Sequence, residues 1–414
     1  MPRSTHSGSR RRREPADRVR VADVTGETGG DRPGLAGLVT GRSVIVCCGS
    51  GGAGKTTISA AIGLAGAEAG RKTCVVTIDP ARRLADALGL DDLDNTPRRI
   101  EGPWSGEMSA VMLDAKGTFD DLVARYSETP EQADRILQNR LYRNLTSALS
   151  GTQEYMAMEK LYELHSEGGF DLVVVDTPPT RHALDFLDAP RRLYSFLENR
   201  VFRLLLMPTR AYMKAMTIAA QTLLRTISRV AGSEIVEDAV AFFRAFEGME
   251  EGFRERARRV EALLANPQTA FVLVVAPRED SIDEARFFAR RLTESSIPVS
   301  SLVVNRLFPN FAPDPPDLRA LSSAQLAAVP APDPSHPDPL AYEELRRNLA
   351  EFLVVAACEE RYVAELAEEV APAPVVRVPF LKEDVHDLEG LRVVARHLLG
   401  GQLVSGRGSR ADRQ

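Results

Sequence analysis

The sequence predicts an α/β fold with a mostly parallel central sheet flanked by helices. Short runs rich in Val, Ile and Leu recur along the chain, at 43–48, 73–78, 109–113, 170–175, 270–275, 299–304 and 375–379. These runs are continuously apolar instead of alternating, which is typical of strands covered on both faces. Stretches with helical spacing separate most of them, and that alternation favours a layered fold with a mostly parallel sheet.

Two long intervals, 115–165 and 190–265, contain no strand signal and show helical spacing. We interpret them as a helical subdomain inserted into the sheet domain. The interval 309–340 is rich in Pro, Asp and Ala, which is typical of a loop. A long helix at about 340–370 follows, and after the last strand a helix is expected at 387–399.

The two ends of the chain are polar. The run of four arginines at 10–13 lies among Ser, Gly, Pro and charged residues, a composition typical of a disordered tail. We assign this basic tail to residues 1–41. One folded domain is expected at 42–402, followed by a polar tail at 403–414. The arginines lack the apolar segment that a secretion signal needs, so no export signal is expected.

Composition excludes several classes of function. The net charge of −6 argues against a general role in binding nucleic acid. No run of about 18 apolar residues occurs, so we expect no membrane span. The four cysteines form no C-x-x-C pair, so neither a zinc site nor a disulfide framework is indicated, and the chain is predicted to be cytoplasmic. These cysteines are Cys47, Cys48, Cys74 and Cys358.

A glycine-rich segment, GSGGAGKT at 49–56, satisfies the pattern G-x-x-x-x-G-K-[ST] between a strand and a helix predicted over 57–69. Its glycines let backbone N–H groups turn toward phosphate oxygens, and the positive helix N-terminus faces the same anion. Lys55 is expected to reach the β- and γ-phosphates, and the Thr56 hydroxyl to contact Mg²⁺. A glycine-rich turn without a ligand is the alternative. We predict a P-loop NTPase with a nucleotide site at Gly49, Ser50, Gly51, Gly52, Ala53, Gly54, Lys55, Thr56 and Thr57.

A buried carboxylate is expected at Asp176, which ends the apolar run of FDLVVVD. A charge there is costly unless it meets a cation or a hydrogen-bond donor. A position near Mg²⁺, beside Thr56, satisfies that requirement. A side-chain cap of the next segment is the alternative role.

A second aspartate, Asp79, also follows a strand, and Pro80 makes the chain turn there. An aspartate next to the γ-phosphate can orient the attacking water and help to deprotonate it. We interpret the neighbouring Arg82 and Arg83 as solvated helix charges and not as phosphate ligands.

Together these segments resemble the ArsA/GET-type ATPases, the family of the arsenite pump and of tail-anchored-protein targeting, which is related to the MinD and ParA switches. The resemblance extends from about residue 42 to 400. Four stretches of this chain are similar to family motifs: 49–56 to GKGGVGKT, 79–87 to DPAHxLSDA, 176–187 to DTAPTGHTLRFL, and Val303-Val304-Asn305-Arg306 to V-V-N-[RQ]. The segment 378–391 resembles the closing adenine loop. Actinobacterial-type relatives share both the CCGxGGxGKT loop and the DTPP switch.

The resemblance implies a Mg²⁺-dependent ATPase and assigns roles by position. Asp79 would orient the water, and Lys55 would be the other catalytic residue. Asn305 would hydrogen-bond adenine, although an Asn that ends a strand in a turn is the alternative. The pattern also places Arg306, Pro379 and Phe380 at the nucleotide. A switch that senses the γ-phosphate would comprise Asp176, Thr177, Pro178, Pro179 and Arg181.

The departures from the family pattern are informative. The zinc-binding C-x-x-C pair of the targeting factors is missing, and the cysteines lie in the wrong segments for arsenite. Ser50 stands where the family has a lysine that crosses a dimer interface to the other subunit's phosphates. A dimer is therefore expected, and a heterodimer with a paralogue that keeps the lysine is favoured. Slow hydrolysis by this chain alone, with Arg181 or another cation substituting, is the alternative.

Family members bind clients on the helical insertion. Met207, Met213 and Met216 can line an adaptable groove there, although a plain helical core shows the same spacing. Two alternatives to an ATP-driven enzyme remain open: a nucleotide-gated switch like MinD or ParA, and a weakly hydrolysing regulatory subunit. The sequence names no client or pathway.

Overall fold

The computed structural model describes residues 34–79, 81–140, 142–143, 152–178, 248–309 and 339–400, together with 238, 241, 242 and 245. Eight strands form one sheet in this part of the chain. They are β1 (Val44–Gly49), β2 (Lys72–Thr77), β3 (Arg98–Ile100), β4 (Glu107–Met112), β5 (Leu172–Asp176), β6 (Thr269–Val275), β7 (Val299–Leu307) and β8 (Val375–Pro379).

The strand order across the sheet is β3-β4-β2-β5-β1-β6-β7-β8. Every neighbouring pair is parallel except β3 and β4, which are antiparallel. The predicted fold class is therefore confirmed, and all seven predicted strands are present. β3 was not predicted.

Helices cover the sheet. In the described part of the chain they are α1 (Leu35–Gly41), α2 (Lys55–Glu68), α3 (Arg83–Leu88), α4 (Ala115–Tyr126), α5 (Pro130–Leu137), α6 (Thr152–Ser166), α7 (Glu250–Leu264), α8 (Glu279–Glu294), α9 (Pro339–Glu369) and α10 (Leu388–Leu398). None of these described helices combines the length and the apolar composition needed to span a membrane.

The sheet has an apolar layer on each face. Ile45 and Cys47 of β1 join α1, α2, α3 and α10 in one layer. Val44, Val46 and Cys48 of the same strand join α6, α7, α8 and α9 in the other. Because successive side chains of a strand point to opposite faces, a strand covered on both sides must be apolar throughout, as β1 is.

The helix α1 corrects the predicted extent of the basic tail. Leu35, Leu38 and Val39 are buried in the core, although the tail was predicted to reach residue 41. These three apolar residues lie on one face of a helical turn and pack into the α2 layer, so part of the interval assigned to the tail belongs to the folded core.

A third apolar cluster belongs to helices in the two strand-free intervals. It contains residues of α4, α5, α6 and α7. These helices also carry a set of charges that we call the helical-layer ion cluster, in which Glu159 and Arg256 are buried and Glu167 and Arg125 are partly exposed. Arg256 donates from Nε to Glu159 Oε1 at 2.6 Å and from Nη1 to Glu167 Oε1 at 2.9 Å, and Arg125 reaches Glu167 Oε1 at 2.8 Å.

Candidate phosphate-binding site

The segments that carry the predicted site residues leave the sheet side by side. The glycine-rich loop follows β1, Asp176 ends β5, and Asp79 lies just past the end of β2. Asp176 pairs in register with Cys47 of β1 and with Thr77 of β2. Because β5 lies between β1 and β2, these side chains meet at the carboxyl edge of the sheet, where parallel α/β folds place their ligands.

Two glycines of the loop are required by the backbone. Gly49 has φ +147°, and a Cβ at this position would lie 1.9 Å from the carbonyl oxygen of Val274 on β6. Gly54 precedes α2 with φ +85°, and a Cβ there would lie 2.2 Å from Nδ2 of Asn305. The loop can therefore take this path only with glycine at both positions.

The ammonium of Lys55 is buried inside the loop. Its side chain belongs to the first turn of α2, the residue is 5% exposed, and Nζ donates to the carbonyl oxygen of Ser50 at 2.9 Å. Burial lowers the pKa of Lys55, and the negative charges of Asp176 and Asp79 oppose that shift. Among the described residues, the loop thus holds a buried cation with no carboxylate within ion-pair distance.

The carboxylate of Asp176 is fully buried, and its two oxygens differ in their hydrogen bonding. Its Oδ2 accepts hydrogen bonds from Thr56 Oγ1 at 2.8 Å and from Thr77 Oγ1 at 2.9 Å. Its Oδ1 is buried and has no hydrogen-bond partner among the residues that the structure describes. Desolvation raises the pKa of Asp176 to about 6, although both hydroxyls oppose the shift. An unpaired buried carboxylate oxygen beside a threonine hydroxyl is the type of oxygen donor set that Mg²⁺ prefers.

Asp79 is held in a turn at the mouth of the site. Its Oδ1 accepts from the backbone N–H of Ala81 at 3.0 Å, and its own N–H donates to Thr77 Oγ1 at 3.2 Å. Oδ2 lies 3.4 Å from Nη1 of Arg83, whose side chain is 60% exposed. Arg83 is thus solvated, as predicted, but it also pairs with Asp79, which the sequence did not indicate.

Ser50 points into the protein. It is 2% exposed, and its hydroxyl hydrogen-bonds that of Ser281 in the first turn of α8. The Ser281 oxygen also accepts from the backbone N–H of Ala276 at 3.0 Å. Sequence reasoning missed Ser281, because a serine in the first turn of a helix has many ordinary roles.

Two side chains at the end of β7 contact backbone carbonyls of the glycine-rich loop. Asn305 Nδ2 donates to the carbonyl oxygen of Ala53 at 2.9 Å, and Arg306 Nη1 lies 3.4 Å from that of Gly52. Arg306 adopts φ +63°, an uncommon conformation for a residue with a side chain. The contact to Ala53 uses one N–H of the Asn305 amide, so the second N–H and the oxygen can still contact a base. The adenine contact stays a prediction.

The remaining predicted residues divide into described and undescribed positions. Phe380 is 58% exposed, and its N–H donates to Leu307 O at 2.8 Å, so it lies next to the β7 end with Pro379. Thr177 Oγ1 donates to Cys47 O at 2.8 Å and ties β5 to β1. Outside the described residues lie Pro179, Arg181, Met207, Met213 and Met216.

The cysteines are free thiols, and Cys47, Cys48 and Cys74 are buried in strands. Burial raises the pKa of the Cys48 and Cys74 thiols to about 12. They are therefore protonated at neutral pH and pack as small apolar side chains. In the described ranges no group of three or more His, Cys, Asp or Glu side chains is arranged to hold a metal ion.

The chain has relatives among known proteins. A family model described as anion-transporting ATPase, ArsA_ATPase, matches residues 42–329. A putative arsenical pump-driving ATPase of Aquifex aeolicus is 22% identical over 365 residues, or 87% of this chain and 79% of that protein. ATPase get3 of Schizosaccharomyces japonicus is 26% identical over 260 residues, or 63% of this chain and 72% of that protein. An uncharacterized protein of Streptomyces coelicolor is 30% identical over 272 residues, or 65% and 63%.

Proposed function

The chain is an ATPase that belongs to the ArsA family of anion-transporting ATPases. On that premise we propose that it hydrolyses Mg²⁺-ATP at the loop 49–56. We further propose that it couples the nucleotide state to closure of a dimer. One observation carries the proposal. The buried ammonium of Lys55 lies in the loop, and Asp176 beside it is a buried carboxylate of which one oxygen has no partner in the described ranges. Because isolated buried charges are costly, their presence indicates a charged ligand.

The fit to Mg²⁺ rests on oxygen donors. Thr56 Oγ1 donates to Oδ2 of Asp176, and Oδ1 of Asp176 has no partner within the described part of the chain. These two residues would hold the ion, which would neutralise charge on the β- and γ-phosphates. In the structure the Thr56 hydroxyl donates to the carboxylate, and the same oxygen has lone pairs for a cation.

The side chains at the loop have distinct roles in the proposed reaction. Lys55, held beside the Ser50 carbonyl, would contact the phosphates, where its point charge would stabilise the negative charge of the transition state. Asp79 orients the attacking water and helps to deprotonate it. Its backbone turn and its ion pair with Arg83 fix the carboxylate at the mouth of the site, which supports that role.

Ser50 supports a dimer in which the missing cation comes from another chain. The site of this chain contains Lys55, Thr56, Asp79 and Asp176, whereas the family position for the trans lysine is a buried serine. A paralogue with lysine at that position would complete the site. The same serine favours the second candidate function, a regulatory subunit that binds ATP but hydrolyses it slowly.

The helical layer is the proposed client surface. Its helix α6 begins near the site, since Gln153 Nε2 in its first turn lies 3.4 Å from the carbonyl oxygen of Ile78, next to Asp79. A change at Asp79 on hydrolysis would therefore reach α6 first. The nature of the client stays open.

Steady-state phosphate release from the purified chain tests the proposed function. We expect turnover that requires Mg²⁺ and stops with a chelator, and that rises when a related ATPase of the same genome is co-expressed. ATP binding by calorimetry without turnover under any of these conditions would support the regulatory subunit. No binding of Mg²⁺-ATP would refute both functions.

A further inference from the structure

We propose that Ser281 is a positioning residue of the phosphate loop that acts on Lys55 through Ser50, an assignment that rests on the ATP site proposed above. Ser281 lies in the first turn of α8, 231 positions from Ser50 along the chain. Neither the loop motif nor the family resemblance points to it. Its role follows from two hydrogen bonds that meet at Ser50. Ser281 bonds the hydroxyl of Ser50, and the ammonium of Lys55 donates to the backbone carbonyl oxygen of Ser50.

The first link joins α8 to the loop. Ser281 is 1% exposed and Ser50 is 2% exposed, and their hydroxyls are hydrogen-bonded to each other. Ser281 is itself fixed, because its oxygen accepts the N–H of Ala276, the residue that follows β6. The hydroxyl of Ser50 is therefore tied to the sheet by a partner that cannot rotate away without losing a buried hydrogen bond.

The second link joins Ser50 to Lys55. The Ser50 carbonyl oxygen accepts from Lys55 Nζ at 2.9 Å. A lysine side chain has many rotamers, and fixing one of them costs entropy. Anchoring the Ser50 carbonyl fixes the Lys55 side chain before the nucleotide binds, so part of the entropy cost is already met. The ammonium then lies inside the loop, close to where the phosphates would bind.

The same face of α8 also acts on Lys55 electrostatically. Glu284 lies one turn after Ser281, and its negative charge raises the pKa of Lys55 against the effect of burial. The helix itself is braced, because Arg286 reaches Glu369 at 2.6 Å and Glu365 at 2.9 Å on α9. The ion pairs to α9 therefore hold α8 in place, and α8 in turn holds the loop through Ser281.

Position 50 therefore has a structural use in this chain. A lysine at position 50 could not make the buried hydrogen bond that the Ser50 hydroxyl makes to Ser281. In this chain the side chain at position 50 therefore anchors the loop to α8. The anchor holds the catalytic lysine in cis, whatever cation a partner chain supplies.

The test uses four variants of the full chain. S281A removes the anchor, and S281T keeps a hydroxyl at the same position. S301A is the matched control, since Ser301, near the start of β7, is a fully buried serine whose hydroxyl donates to the carbonyl oxygen of Pro374. S50A removes the first link from the side of the loop and, unlike S281A, leaves the N–H of Ala276 paired.

Two readouts are needed. In nucleotide-free protein, mass spectrometry follows acylation of Lys55 by an amine-reactive reagent, with the buried and ion-paired Lys160 as the internal reference. Calorimetry follows ATP affinity. We expect S281A and S50A each to raise the Lys55 labelling rate severalfold and to weaken ATP binding about threefold to tenfold. S281T should restore both values, and S301A should change neither.

A double-mutant cycle then identifies the route. If Ser281 acts through Ser50, the double variant S50A/S281A should be no worse than the more severe single variant. Additive effects, or Lys55 labelling that is unchanged in S281A, would overturn the anchor. If the wild-type chain binds no ATP, the proposed function fails, whereas labelling of Lys55 still decides the anchor.

Discussion

At the phosphate loop, Lys55 and Asp176 are buried but do not form an ion pair with each other within the described part of the chain. In the helical-layer ion cluster the charges meet directly, since Arg256 binds Glu159 at 2.6 Å and Glu167 at 2.9 Å. The ring of Tyr162 covers the same guanidinium at 4.0 Å. Both regions bury charge, but only one of them leaves that charge available to something else.

The pKa values show the cost of the difference. Burial lowers the pKa of Lys55 and raises that of Asp176 to about 6, so both charged forms are destabilised at the loop. Burial alone would also lower the pKa of Arg256, but its hydrogen bond to Glu159 reverses the direction. Direct pairing thus stabilises the charged form of Arg256. At the loop the charged forms of Lys55 and Asp176 are destabilised by burial, and a bound phosphate and Mg²⁺ would stabilise them.

The largest expected effect is on stability, from removal of Arg256. Arg256→Leu leaves the buried Glu159 without its partner, and we expect a loss of about 3–5 kcal/mol in the free energy of unfolding. Urea denaturation measures this loss. The matched control is Arg125→Leu, because Arg125 is 44% exposed and should cost under about 1 kcal/mol. A change in ATP affinity of folded Arg256→Leu protein would contradict the separation of the two regions.

Removal of the loop cation should affect the ligand instead. Lys55→Ala is expected to weaken ATP binding about 100-fold or more, because the phosphates lose the point charge in the loop. Calorimetry measures the affinity. Lys160→Ala removes a lysine of similar burial that is paired with Glu163, and it should leave ATP affinity unchanged. Equal effects of the two variants would show that burial and not position matters.

Hydrolysis should depend on Asp79. Asp79→Asn keeps the size and the turn but is a poor base, so turnover should fall about 100-fold while ATP affinity changes by less than about threefold. Arg83→Ala controls for the lost ion pair. Turnover within a few-fold of the wild type would exclude Asp79 as the residue that positions the water.

Asp176 gives a pH-dependent stability with a defined sign. Burial raises its pKa in the folded protein, so its ionisation opposes folding above about pH 6, and this opposition disappears as the pH falls toward 4. Asp176→Asn should therefore stabilise the nucleotide-free protein by about 1–3 kcal/mol at pH 8 and by almost nothing at pH 4. Thermal unfolding across this range, with the exposed Asp91→Asn as control, measures the effect. A pH-independent gain would rule out the charge as its cause.

The smallest expected effect concerns Asn305. Asn305→Ala should weaken ATP binding about fivefold, because the loop loses its contact to Ala53 O. Competition between ATP and GTP separates the two roles of the amide. If it contacts adenine, the preference for ATP relaxes in the variant. If both nucleotides weaken equally, the amide acts on the loop alone.

The sequence predicted the sheet well because each parallel strand is covered on both faces and so reads as a continuous apolar run. β3 was missed because it has three residues, of which Arg98 and Arg99 are exposed. α1 was missed because its short apolar stretch follows the basic tail. In both cases the signal is too short to stand out from its surroundings.

The site was predictable where its chemistry is local. Lys55 and Thr56 belong to one continuous motif, and Asp176 follows an apolar strand. Ser281 belongs to no motif, since its contact with Ser50 exists only after β6 and α8 have folded against β1. Long-range contacts between ordinary residue types leave no pattern in a single sequence.

The approach of β1 to β6 at Gly49 has a consequence for the mutational tolerance of the motif. A Cβ at Gly49 would overlap the Val274 carbonyl, so a library selected for folding alone should retain glycine there. Gly52 has φ +73° with open space around it, and Asn or Asp can adopt that conformation. Gly49 is therefore fixed by the architecture of the sheet, whereas a strict requirement for glycine at position 52 would indicate selection by the ligand or the partner.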